Sequence, residues 1–172
     1  DETEATSDSV SRRFNVNAAT IRQGLMDALH DLGDFRHRGK RVCVVSHAGL
    51  SELGCLSSRI ISLAGDLDLS VRSSIDYGGN SRVGPASWGS ARYDNPMVSF
   101  ESMAEACKTL IFTSVDNMDH IKYARRHDCR MILIPSVHSM PVFCRKRINY
   151  FDSVICPNLF THSVLSEYAS VP

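Results

Sequence analysis

Apolar positions along the chain follow two patterns. Between Asn17 and Gly33, Ile21, Leu25, Ala28, Leu29 and Leu32 recur at steps of three and four, which predicts one face of a helix. Asn17 stands where a cap is needed and Gly33 where a left-handed stop is needed. Short continuous apolar runs then take over. They are Arg41 to Ser46, Leu67 to Val71, Thr109 to Thr113, Arg130 to Ile134 and Ser153 to Cys156, and each reads as a strand. Helical spacing returns between them at Leu53, Leu56, Ile60 and Leu63. It returns again at Met118, Ile121 and Ala124 behind Asp116 as cap, and at Leu159, Val164, Leu165 and Tyr168 behind Asn158. Strands apolar on both faces, alternating with helices, predict an α/β fold with a mainly parallel sheet covered on both sides. Ligands of such sheets bind beyond the carboxyl ends of the strands.

The expected organisation has three parts. Residues 1–16 are a flexible acidic tail, 17–40 an extra N-terminal helix with the basic connector RHRGKR, and 41–172 a Rossmann-like, doubly wound domain. Asp76 to Pro96 has no period and holds Gly78, Gly79 and the single Trp. A loop of that length is expected over the carboxyl edge, mobile and carrying function.

Composition narrows the function classes. A chain of 172 residues suits one domain. Lys plus Arg number 19 and Asp plus Glu number 19, so no global charge draws it to nucleic acid or anionic membrane. No apolar run is long enough to span a bilayer, and no signal peptide or initiator Met is seen. A cytoplasmic processed product or fragment is expected. The six cysteines form no CxxC pair, which argues for reduced thiols and against a structural zinc; no metal site is expected.

Candidate chemistry gathers after the strands. The loop from His47 to Gly54 places Gly49 and Gly54 at the Walker A spacing. Cys55 and Leu56 follow where Lys and Ser/Thr would reach phosphate and magnesium, so a P-loop is rejected. GxGxxG and GxSxG are absent too. What remains is a glycine loop opening a helix, with Gly49, Ser51 and Gly54 placed to let backbone N–H groups approach a substrate. His47 and His138 both follow strands and are the candidate proton-transfer residues. Asp76, Gly78 and Gly79 are further candidate substrate contacts. Arg145, Lys146 and Arg147 are candidate contacts to phosphate or nucleic acid.

The order of these features resembles the N-terminal, acceptor-side half of a GT-B glycosyltransferase of the retaining type. Lys40 to Ser46 resembles its opening strand and His47 to Gly54 its glycine loop. Met131 to Ser139 resembles its strand ending in a histidine loop, and Phe151 to Asn158 the element before a short helix. Ser139, Pro157 and Asn158 depart from that family's pattern. The resemblance implies an acceptor site bordered by Gly49, Gly54, His138 and His47. It also implies a nucleotide-sugar donor held mostly by a second Rossmann-like domain beyond Pro172, no bound cofactor, and no turnover by this chain alone. Two other classes stay open. One is a non-catalytic Rossmann-like binding or assembly module. The other is a nucleic-acid-associated protein, such as a phage-type DNA glycosyltransferase.

Overall fold

The computed structural model describes residues 18–30, 41–46, 52–66, 70–75 and 100–170. Five parallel strands form one sheet: β1 (Arg41–Ser46), β2 (Ser70–Ile75), β3 (Thr109–Phe112), β4 (Arg130–Leu133) and β5 (Ser153–Val154), in the order β2-β1-β3-β4-β5. The described helices are α1 (Ala18–His30), α2 (Glu52–Asp66), α3 (Phe100–Ala106), α4 (Met118–Arg126) and α5 (Leu159–Ser166). A 3₁₀ helix, Val142–Tyr150, joins β4 to β5. This is the expected Rossmann-like α/β architecture, extra N-terminal helix included.

Strand register explains why both faces need cover. Cys43 pairs with Leu110 and Leu110 with Met131; the next row is Val44, Ile111 and Ile132. Successive side chains point to opposite faces. Cys43, Val45, Leu110, Phe112, Met131 and Leu133 therefore enter a core with α3, α4 and the 3₁₀ helix. Val42, Val44, Ile111, Ile132, Ile134 and Ile155 enter a second core with α1 and α2. Burying each large side chain is worth about 1.5–3 kcal/mol, which only a two-sided covering secures.

α1 buries Ile21, Leu25, Ala28 and Leu29, as their spacing predicts. It approaches the sheet closely at Gly24, where a Cβ would stand 2.6 Å from Ile155 Cγ2. Asn17, Leu32, Gly33 and the segment from Asp76 to Pro96 lie outside the described residues.

Several boundaries differ from expectation. β2 occupies 70–75 rather than 67–71. Its sequence, SVRSSI, carries polar residues because an edge strand has one neighbour and no continuous apolar run is demanded of it. α3 was not expected, yet Phe100, Ala104 and Cys107 are buried at helical spacing. The cap of α4 is Asn117, whose Oδ1 accepts from His120 N at 3.2 Å, and not Asp116. Asp116 instead binds Ser114 through its side chain and its N–H. At the other end of α4, Asp128 takes the left-handed conformation with φ 52°. Asp128 N donates to Arg125 O at 3.3 Å and Cys129 N to Ala124 O at 3.0 Å, the paired bonds of a Schellman stop. Leu159, expected on the buried face of α5, is 87% exposed.

The β4–β5 connection is held by named bonds. Arg125 Nε donates to Tyr150 O at 2.7 Å, its Nη2 also reaches Tyr150 O, and its Nη1 pairs with Asp152 at 2.9 Å. Asp152 Oδ2 accepts from Met131 N at 2.7 Å, which ties the start of β4 to the start of β5. Among the described residues, no helix is long and apolar enough to cross a membrane.

Candidate functional site at the carboxyl edge

The strand order reverses at β1, which lies between β2 and β3. The helix after β1 packs on one face of the sheet, whereas α3 and α4 pack on the other. That divergence is where doubly wound sheets open a crevice. Its floor is polar. Thr113 follows β3 and is 1% exposed. Its Oγ1 lies 3.5 Å from Val45 O and 3.4 Å from Ser57 Oγ on α2. Two buried hydroxyls thus join the ends of β1 and β3 to α2.

The rim is the turn from β3 into α4. Ser114 Oγ donates to Asp116 Oδ2 at 2.5 Å and accepts from Asp116 N at 3.1 Å. Arg147, from the 3₁₀ helix, donates to Val115 O at 2.9 Å and to Asp116 O at 3.3 Å. Its guanidinium therefore fixes the turn that presents the Ser114 hydroxyl and the Asp116 carboxylate.

At the end of β4, Ser136 is buried and the short 3₁₀ turn Val137–Ser139 lifts His138 to the surface. The His138 ring stacks on Phe160 from α5, with centroids 5.3 Å apart and planes 19° from parallel. Asn158 ends the β5 turn and caps α5, its Oδ1 accepting from Thr161 N at 2.8 Å. A groove of about 1050 Å³ runs beside this edge, between α1 and the β5–α5 turn. Ile155, Leu159 and Phe160 give it apolar walls, and Gln23 and Asp27, hydrogen bonded at 2.8 Å, give it a polar one.

The sequence candidates separate on this frame. His138 stands at the carboxyl edge as expected, against an aromatic ring. Gly54 is buried in the first turn of α2 and not in a loop, because the helix already starts at Glu52. His47, Gly49, Ser51, Asp76, Gly78 and Gly79 lie outside the described residues. The basic run points three ways. Arg145 lies over the Tyr168 ring at 5.7 Å, Lys146 is exposed, and Arg147 turns to the β3–α4 rim. Phe160, Thr113 and Ser57 went unread in the sequence. The signal for Phe160 was a large apolar residue in the first turn of a helix, directly after a strand end.

All six cysteines are free thiols. Burial pushes the Cys55, Cys129 and Cys156 thiols up from their ordinary range, which keeps them protonated and unreactive. Among the described residues, no three His, Cys, Asp or Glu side chains converge on a metal position.

No protein-family model and no curated protein matches the chain. Solved structures similar to it include a formate dehydrogenase from Granulicella m., at 12% identity and TM-score 0.36 over 88% of this chain and 42% of that one. They also include a dehydrogenase from Rhizobium meliloti, at 16% identity and TM-score 0.35 over 96% of this chain and 59% of that one. The chain thus spans less than two thirds of either neighbour's length. Both neighbours are dehydrogenases and neither is a glycosyltransferase, so the expected resemblance to GT-B glycosyltransferases and the transferase activity it implied do not stand. The physical reason is that the resemblance rested on the order of strands, helices and turns. That order is common to doubly wound sheets of unrelated chemistry.

Proposed function

We propose that this chain is a Rossmann-like binding domain for a nucleoside phosphate, held in the crevice at the carboxyl ends of β1 and β3. The observation that carries the reading is the reversal of strand order at β1, with buried hydroxyls and the polar Ser114–Asp116 turn at that point. A hydroxyl and a carboxylate side by side, as in Ser114 and Asp116, suit the hydroxyls of a ribose. The Arg147 guanidinium, bonded to the Val115 and Asp116 carbonyls, holds the turn that presents them. The test is calorimetric titration of the chain with nucleoside mono- and diphosphates, and with ribose-free pyrophosphate as control. Nucleotide binding should weaken at least tenfold in Asp116→Ala, the scale of one hydrogen bond to a charged group, roughly 1.5–3 kcal/mol. Failure of every nucleotide to bind at millimolar concentration defeats the proposal.

A further inference from the structure

We infer that Phe160, backed by His138, is a stacking platform for the base of that nucleotide. The inference rests on the nucleotide reading and names the part of the ligand that reading leaves unplaced. Phe160 is 55% exposed and Leu159, before it, 87% exposed. Two large apolar side chains in the first turn of a helix gain little from burial within this chain. The helix that carries Phe160 is nevertheless held in place. Asn158 caps the helix, and Thr161 and Leu165 anchor it in the fold at 2% exposure each. An exposed ring on an anchored helix costs little ordering entropy when a ligand stacks on it.

His138 adds the second ring. Its plane lies within 19° of the Phe160 plane, so a base on the open face of Phe160 would extend an existing stack. The location also fits. Phe160 follows β5 and His138 follows β4, on the same edge as the Ser114–Asp116 rim that follows β3. Two strand spacings, about 10 Å, separate the ends of β3 and β5. A nucleoside with its ribose hydroxyls on the rim and its base on the Phe160 ring spans that distance, with the phosphates leading away from the ribose. Beside Phe160, the groove walled by Ile155 and Leu159 carries Gln23 and Asp27, an amide and a carboxylate able to bond the edge of a base.

The experiment measures binding of ADP, adenosine and inorganic pyrophosphate to the whole chain and to Phe160→Ala, Phe160→Leu, Phe160→Trp and His138→Ala. Phe160 is exposed, so these variants keep the core intact, and far-UV circular dichroism checks it. Phe160→Ala and Phe160→Leu should weaken ADP and adenosine roughly tenfold, the scale of one base–aromatic stack, and leave pyrophosphate unchanged. Phe160→Trp should retain binding, and His138→Ala should weaken ADP about threefold. Wild-type affinity in Phe160→Leu would overturn the platform, because a greasy contact would then suffice. So would ADP binding that ignores Phe160→Ala, which leaves the nucleotide reading intact. Phe160-dependent adenosine binding to which phosphate adds nothing would sink the nucleotide reading and keep the platform. No binding of any probe sinks both.

Discussion

Gly24→Ala should destabilise this protein, against the usual rule for helices. Replacing an interior helical glycine by alanine ordinarily gains about 1 kcal/mol. Here the added Cβ would meet Ile155 Cγ2 at 2.6 Å and Cγ1 at 3.1 Å. Both atoms are fixed to the β-carbon of Ile155 and cannot swing aside as a flexible chain end could. α1 must instead back away from β5, and such overpacking costs about 1–3 kcal/mol. The net expectation is a loss of about 1 kcal/mol, or a fall in Tm of about 3 °C. The sign should invert in an Ile155→Ala background, where the contact is gone and the helix gain of about 1 kcal/mol remains. The coupling energy of the cycle is therefore about 2 kcal/mol. Ile155→Val keeps both offending atoms and should give no relief. Urea unfolding of the single and double variants measures the cycle. A higher midpoint for Gly24→Ala in the unmodified protein would refute the close packing of α1 on β5.

Asp128→Gly should stabilise by about 1 kcal/mol, because φ 52° at the α4 stop costs an L-residue what glycine does not lose; an unchanged urea midpoint would contradict the left-handed stop. Stability should also fall as pH rises above the ordinary thiol value of 9.0, since burial holds the Cys129 proton in the folded chain while the unfolded chain releases it. Cys129→Ala should flatten that decline in urea titrations between neutral and alkaline pH, and identical slopes for the two proteins would count against the buried thiol.

The fold was legible where the physics is local and doubled. β1, β3 and β4 are buried on both faces, so their apolar runs stand out, and Ile21, Leu25 and Ala28 mark α1 by period alone. β2 was displaced because an edge strand tolerates serine and arginine. α3 does not stand out because its seven residues make fewer than two turns, too few for a period to show. The site was less legible for a different reason. His138 could be placed after a strand, but its partner Phe160 lies on another element, and no spacing in the chain brings those two rings together. In the sequence Arg147 belongs with Arg145 and Lys146 to one basic run. Its own contact is to carbonyls across the fold, a matter of tertiary geometry. The glycosyltransferase reading treated order along the chain as chemistry, although the order belongs to the sheet.

The strand order has a consequence for how the chain is made. β3, β4 and β5 are neighbours in sequence and in space, so each can dock as it emerges from the ribosome. β1 ends at Ser46 and its inner neighbour, β3, begins only at Thr109. Until Phe112 has been synthesised, the edge of β1 that carries Val42, Cys43, Val44 and Val45 has no partner strand. An apolar strand edge left open invites pairing with another chain. Pulse-labelled hydrogen exchange during refolding should show β3 to β5 amides protected before the β1 amides that face β3, and the reverse order would exclude this route. Slower translation between the codons for Ser46 and Phe112 lengthens the interval in which nascent chains can stick to one another. Yield in the cell is thus tied to the pace of that stretch as well as to the stability of the finished fold.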